Sequence, residues 1–169
     1  MNLNERIMSK QHKDFQQHIF YYFMEHNIHD FVGVPDSTLK SFIGEGLKNE
    51  KVIIATNERE SIGIATGISL SKRHCLVFMQ NSGLADSIGA ILSLIKLYKI
   101  PLIFLVGWRG YNSKDAPEHL EVGKNMETIL KILHIPYRVV DDKNWHNCCK
   151  WSIKRIYNDK ISILVIKND

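Results

Sequence analysis

No apolar run in this sequence approaches the ~20 residues that an α-helix needs to cross a bilayer. The opening stretch, MNLNERIMSKQHKDF, is too polar for the core of a secretory signal. Cysteine is scarce, with only Cys75, Cys148 and Cys149. The count is odd, and two of the three are chain neighbours that could pair only with strain. A disulfide scaffold is therefore excluded, and a reducing cytoplasm is the expected compartment. Metal-ligand spacing is missing too, with neither Cys-x-x-Cys nor His-x-x-x-His, so no metal site is assigned to this chain. There is no Gly-x-Ser-x-Gly elbow and no glycine-rich phosphate loop. The formal net charge is +4, but Lys and Arg are scattered rather than gathered into a stripe. That argues against nucleic acid and leaves room for attraction of a small polyanion. Repeats and low-complexity linkers are absent as well.

The remaining composition is that of a globular domain: 169 residues, 44% hydrophobic and 24% charged. The length predicts a single domain over 1–169 with enough chain to bury a core. Short apolar runs alternate with longer segments of helical period. Strands are predicted at Asp30–Val34, Val52–Thr56, Cys75–Gln80, Leu102–Val106, Tyr137–Val140 and Ile161–Ile166. Most are β-branched and apolar on both parities, the mark of strands buried on both faces. Helices are predicted at Asp14–Asn27, Ser37–Leu47, Glu58–Ser71, Leu84–Tyr98, Glu118–Leu133 and Lys143–Asn158. This alternation specifies a doubly wound α/β fold with a mostly parallel sheet flanked by helices.

Four segments carry polar groups that the fold alone does not require. Gly33-Val34-Pro35-Asp36-Ser37 leaves the first strand; Pro35 fixes φ, and Asp36 or Ser37 can cap the next helix. Taken in isolation, capping is the preferred reading. Asn57-Glu58-Arg59-Glu60-Ser61 opens a helix whose small residues Gly63, Ala65 and Gly67 read first as a face for tight packing. Gln80-Asn81-Ser82-Gly83 sits where a strand passes into a helix, with side chains and free N–H groups suited to a polar or anionic group. Gly107-Trp108-Arg109-Gly110 begins an aperiodic stretch of about a dozen residues that ends in Glu118-His119, a length typical of functional loops. Arg109 suits a carboxylate, sulfonate or phosphonate, and His119 could move protons near neutrality. All four lie at the carboxyl end of a predicted strand, the edge where open α/β sheets place ligands.

Taken together these segments resemble the pyrimidine-binding domain of phosphonopyruvate and sulfopyruvate decarboxylases. Phe31-Val-Gly-Val-Pro-Asp-Ser, Asn57-Glu58, Met79-Gln-Asn-Ser-Gly-Leu84, Tyr98-Lys-Ile-Pro101 and Gly107-Trp-Arg-Gly110 occur in that family's order. The resemblance runs from Phe31 to Val140 and implies a cofactor, thiamine diphosphate, with Glu58 as the residue that hydrogen-bonds the pyrimidine N1′. A carboxyl group there favours the imino tautomer, whose nitrogen can take the proton from C2 of the thiazolium. The resemblance also implies that Gln80, Asn81 and Ser82 touch the cofactor. Asp36, Ser37, Arg109 and His119 would meet the substrate, His119 also as a catalytic residue. Thiamine enzymes hold the diphosphate and Mg2+ through Gly-Asp-Gly, which this chain lacks altogether. The implied partner is a beta subunit carrying that site, in a hetero-oligomer acting on a small anionic 2-oxoacid.

Within the family Gly107-Trp-Arg-Gly110 and Asp115-Ala-Pro-Glu-His119 look more like phosphonopyruvate enzymes. The split architecture and Tyr98-Lys-Ile-Pro look more like sulfopyruvate enzymes, and the reading leans to phosphonopyruvate. The pattern departs at Gly83-Leu-Ala-Asp86, and the segment after Val140 matches no motif. Two alternatives remain, an acetolactate-synthase-like carboligase and a non-catalytic subunit of the same fold.

Overall fold

The computed structural model describes residues 14–113 and 115–167. The polar opening stretch read above lies outside them, apart from its last two residues. The element order is α1 (Phe15–Glu25), β1 (Ile28–Gly33), a 3-10 turn (Ser37–Leu39), α2 (Lys40–Lys48), β2 (Val52–Ile54), α3 (Glu58–Leu70) and β3 (His74–Gln80). Then follow α4 (Asn81–Asp86), α5 (Ile88–Ala90), a π-helical turn (Ile91–Lys96), β4 (Ile103–Trp108), a 3-10 turn (Tyr111–Ser113), α6 (Pro117–Leu133), β5 (Tyr137–Val140), α7 (Trp145–Ile156) and β6 (Ser162–Lys167).

The six strands form one sheet in the order β2-β1-β3-β4-β6-β5. Every pairing is parallel, so the expected doubly wound architecture is present without an antiparallel edge. The chain turns outward from β1 to β2 and then resumes on the other side at β3. The topological switch point thus lies between β1 and β3, where a crevice opens at the carboxyl ends of the strands.

Each face of the sheet has its own core. On one side α1, α2 and α7 pack Ile19, Phe20, Phe23, Phe42, Cys149 and Ile156 against Phe31, Leu76, Phe78 and Leu105. Phe20, Phe31 and Phe42 are mutually in contact, with centroids 5.1 to 5.9 Å apart. Each such ring, fully buried, contributes on the order of 1.5–3 kcal/mol. On the other side α3, the π-helical turn and α6 pack Ile62, Ala65, Ile91, Ile95, Met126 and Leu133 against Val32, Val77, Met79 and Phe104. All three cysteines are free and buried.

Four expectations need correction. β2 is an edge strand, not doubly buried; Ile53 and Ile54 stand 42% and 47% exposed. The expected helix Leu84–Tyr98 instead begins at Asn81 and breaks at Ser87, ending in the π-helical turn. Ser87 is a weak helix former followed by Gly89, and its buried hydroxyl has no partner among the described residues. On α3, Gly63 and Gly67 open to empty space while Ala65 is buried, so the three share no packing face. A two-residue step turns a helix by about 200° and separates them. The long loop is shorter than expected, because β4 runs to Trp108 and α6 starts at Pro117. Pro117 favours the first helical turn, which moves Glu118 and His119 out of the loop.

Candidate functional site

The sequence-assigned polar residues converge at the carboxyl ends of β1, β3 and β4, with Glu58 after β2. Asn57 caps α3, its side chain accepting from the Glu60 N–H at 2.9 Å. The Glu60 carboxylate reaches back to the Thr56 N–H at 2.6 Å. This reciprocal arrangement is close to a capping box, and it holds the Glu60 carboxyl below the ordinary glutamate range. Glu58, two residues earlier in the same turn, has no hydrogen bond or ion pair among the described residues. Its side chain lies over Gly83, where any Cβ would collide with the Glu58 carboxylate. Gly83 is thus a cradle for Glu58. The two acidic residues of this turn divide cleanly: Glu60 builds the helix end, and Glu58 rests half-buried on Gly83 without a partner among the described residues.

Gln80 donates from its amide to the Ser82 hydroxyl. Asn81, almost fully buried, is committed in both directions to one residue. Its amide donates to the Arg109 carbonyl at 2.9 Å, and its oxygen accepts the Arg109 N–H at 3.2 Å. Asn81 therefore joins the ends of β3 and β4 and keeps one amide N–H and one oxygen lone pair uncommitted.

The Arg109 guanidinium is equally constrained. Nε and Nη2 donate to Asp115 at 2.7 and 2.6 Å, a bidentate fork. Nη1 donates to Ser37 Oγ at 2.8 Å and lies 3.8 Å from Asp36. Asp115 also accepts from the Gly110 and Ala116 N–H groups, which winds the loop around its carboxylate. Gly110, at φ +72, packs so closely on the His119 carbonyl that a side chain would not fit. Trp108 Nε1 donates to the Gly123 carbonyl at 2.9 Å and ties the other flank to α6.

Asp36 does not cap. It occupies the position before the 3-10 turn, but its side chain makes no capping bond. The carboxyl group is wholly buried, and neither oxygen has a hydrogen-bond partner among the described residues. It lies flush against Gly107, whose missing side chain makes the room. Burial pushes the carboxyl above the ordinary aspartate range; Thr38, Arg109 and His119 pull the other way. The Thr38 hydroxyl beside it is a second buried orphan. Unsatisfied buried polar groups cost stability and are rare without a reason. Sequence reasoning missed Thr38, hidden inside an expected helix, and the clamp formed by Asp115. Asp115 stood in the motif Asp115-Ala-Pro-Glu-His119, but nothing in that pattern signalled its clamp on Arg109.

Among the described residues no group of His, Cys, Asp and Glu could hold a metal ion, and no helix is long and apolar enough to cross a membrane. The residues present fit one end of thiamine diphosphate: an unpartnered carboxylate seated on a glycine, beside the switch point, with no phosphate-binding loop.

Comparison with known proteins agrees with this geometry. The model of the thiamine pyrophosphate enzyme, N-terminal TPP binding domain, matches residues 13–131. The alpha subunit of sulfopyruvate decarboxylase from Methanococcus maripaludis is 38% identical over 111 residues, 64% of this chain and 66% of that protein. The corresponding subunit from Methanocaldococcus jannaschii is 32% identical over 134 residues, 78% of this chain and 79% of that protein. The phosphonopyruvate decarboxylase of Streptomyces viridochromogenes is 27% identical over 113 residues, 65% of this chain but only 28% of that longer protein. In fold, the chain superposes on the benzoylformate decarboxylase of Polynucleobacter necessarius with a TM-score of 0.65 at 17% identity, over 90% of this chain and 29% of that one. The chain belongs to the thiamine pyrophosphate enzymes, as their N-terminal TPP binding domain.

Proposed function

We propose that this chain is the alpha subunit of a thiamine-diphosphate-dependent decarboxylase acting on a 2-oxoacid with a terminal sulfonate or phosphonate. The observation that carries the reading is the division of labour in the first turn of α3, where Glu60 is consumed by capping while Glu58 stands unpartnered on Gly83. Thiamine diphosphate supplies the nucleophilic carbon and the electron sink that decarboxylation needs. Glu58 holds a proton at the pyrimidine N1′, and Gln80 and Ser82 line the ring. Asn81 works from behind, fixing the main chain of Arg109.

The substrate side is built from Asp36, Ser37, Arg109 and His119. A guanidinium has five N–H donors. Arg109 commits one each from Nε, Nη1 and Nη2 to Asp115 and Ser37, and one N–H on each terminal nitrogen remains for the terminal anion. His119, in the first turn of α6, is the residue available to move a proton beside the reacting carbon.

A partner subunit completes the site. This sequence has no Gly-Asp-Gly, so the diphosphate and Mg2+ fall to a beta subunit. Ile53 and Ile54 on β2, shortly before Glu58 in the chain, turn apolar surface to solvent, as a docking face would. The loop motifs tilt the sequence toward phosphonate. The relatives of matching length are sulfopyruvate decarboxylase alpha subunits, and this favours the sulfonate. The test is reconstitution. The chain alone should show no decarboxylation, and addition of a Gly-Asp-Gly subunit should restore it with sulfopyruvate. Turnover by the chain alone would overturn the split reading. Condensation of two oxoacids would indicate a carboligase, and no turnover with any partner would indicate a non-catalytic subunit.

A further inference from the structure

The turn that carries Ser37 is wound more tightly than the helix it leads into. Sequence pattern predicts one helix over Ser37–Leu47, yet the chain makes a 3-10 turn at Ser37–Leu39 and begins α2 at Lys40. The Asp36 carbonyl accepts the Leu39 N–H at 3.1 Å, and the Ser37 carbonyl accepts that of Lys40. The next α-helical bond, from the Phe42 N–H back to the Thr38 carbonyl, is not made, and α2 starts one step later. Both of its ends meet one side chain instead. Gln16, buried on α1, donates from Nε2 to the Thr38 carbonyl at 2.8 Å, and its Oε1 accepts the Phe42 N–H at 3.4 Å. A primary amide has the donor and acceptor of a peptide group, and here it stands inside the helical ladder. Side-chain insertion of this kind is a known cause of helix breaks. Folding alone does not require it. Extending α2 by one residue would satisfy both main-chain groups locally, with no polar side chain to bury.

We propose that Gln16 is a positioning residue for the substrate turn: its amide takes the place of the Thr38–Phe42 hydrogen bond, keeps Ser37–Leu39 in the 3-10 form and so fixes Ser37 before Arg109. This rests on the reading above that Ser37 and Arg109 face the substrate. A 3-10 turn rises about 2.0 Å and rotates about 120° per residue, against about 1.5 Å and 100° in an α-helix. Rewinding this turn as α-helix would therefore draw Ser37 in by about 1.5 Å and swing it by about 60°. The Ser37 hydroxyl accepts Arg109 Nη1 at 2.8 Å, and a hydrogen bond of that length does not survive such a shift. Gln16, Ser37 and Thr38 border a recess of about 510 Å³, which leaves room for the turn to move. The amide reaching across from α1 is what holds it.

The experiment uses Gln16→Met, which keeps the length of the side chain and removes both polar groups. Amide hydrogen exchange in the full chain reads the turn directly. In the variant the Phe42 N–H should exchange at least as slowly as in wild type, because the main-chain bond to Thr38 now forms. Faster exchange would mean that both groups are left unbonded, and would overturn the proposal. Kinetics of the reconstituted complex with sulfopyruvate and phosphonopyruvate read the consequence for the site. KM should rise about tenfold for both, the loss of one hydrogen bond to a charged group, with kcat little changed. Ser37→Ala should raise KM similarly. Adding Gln16→Met to Ser37→Ala should raise it no further, since both act through one contact. Additive losses, an unchanged KM or a fall in kcat alone would assign Gln16 a merely structural role and overturn the proposal. Failure of the functional reading is distinct: neither substrate would turn over, while exchange at Phe42 would still report the winding of the turn.

Discussion

The two ends of this sheet are built on opposite principles. At the amino end, all six helix-to-strand connections contain one residue in the left-handed region: Asn27, Glu50, Lys72, Lys99, His134 and Asp159. None is glycine. Four of these turns close with the five-residue-back hydrogen bond of a Schellman motif, from Lys51, Arg73, Ile100 and Lys160 to Gly46, Ile68, Ile95 and Arg155. At the carboxyl end the connections follow no common pattern. They hold buried carboxyl and hydroxyl groups without partners, an arginine locked to a loop aspartate, and glycines at 83, 107 and 110 that leave no room for a side chain. The amino end repeats one solution that satisfies the backbone. The carboxyl end sacrifices local regularity to bring Glu58, Asp36, Ser37 and Arg109 together. Four predictions test that contrast.

The largest effect is expected at Glu58. Glu58→Gln leaves the fold intact, because the side chain makes no contact that the structure needs beyond its seat on Gly83. In the reconstituted enzyme, H/D exchange at C2 of the cofactor should slow by ~10²–10⁴-fold, the usual cost of losing a positioned acid/base group. Glu60→Gln should instead reduce thermal stability and leave exchange nearly unaltered. The opposite outcome would exchange the two roles and undo the site as drawn.

Next is Gly107→Ala. The new methyl group would run into Asp36 and press on Thr38, and overpacking of this kind costs about 1–3 kcal/mol. The midpoint of urea unfolding should fall accordingly. Gly63→Ala, at a position open to space, should leave that midpoint unchanged or raise it slightly. Similar losses at both glycines would show that the carboxyl end is no tighter than an exposed helix face.

These cases show what the sequence could disclose. Tyr137–Val140 is delimited by pattern alone, and the other strands lie within two residues of expectation, because short β-branched apolar runs stand out between longer segments of helical period. β6, in the segment without a recognisable motif, lies between β4 and β5 as an inner strand of the sheet, and hydrophobicity marked it where no motif did. Glu58 was singled out by the family resemblance and Arg109 by the fit of a guanidinium to an anion. The structure puts both at the carboxyl end, Glu58 seated on Gly83 and Arg109 clamped by Asp115. The break at Ser87, the burial of Asp36 and the clamp by Asp115 were not legible. Each depends on what lies across the fold, and adjacency in space leaves little mark on a local window.

Asp36 gives a smaller, pH-dependent effect. Its folded carboxyl titrates above the ordinary aspartate range of about 3.9 because of burial. A group raised in the folded state favours folding while it is protonated, and that contribution is lost as pH rises through its folded value. Asp36→Asn keeps the shape without the charge. The variant should therefore melt at a higher temperature than wild type at pH 8, with the gap closing as pH falls toward 4. A gap that widens on acidification would mean that Asp36 is stabilised as an anion, and would move the Arg109 contact at 3.8 Å from onlooker to partner.

The smallest effect belongs to the amino end, and its sign is what matters. An L-residue in the left-handed region costs roughly 1–2 kcal/mol, while glycine adds roughly 0.5–1 kcal/mol of conformational entropy to be lost on folding. The balance favours glycine by a fraction of a kcal/mol at Glu50, Lys72, Lys99 and Asp159. Their Schellman hydrogen bonds come from the main chain and survive the change. For a chain of this size ~1 kcal/mol corresponds to about 2–4 °C, so each substitution should raise Tm by about a degree or two. The gains at Lys99 and Asp159 should add, while Glu50 and Lys72, which line one recess, form the pair whose effects could couple. None of the four residues is part of the carboxyl-end site, so catalysis by the reconstituted complex should be unaffected. If the fourfold variant instead melts lower than wild type, those side chains do more at the amino edge than fill a turn. Glu50, Lys51, Lys72, Arg73, His29 and His74 line a recess of about 500 Å³ there, and loss of their contacts would be the first cause to examine.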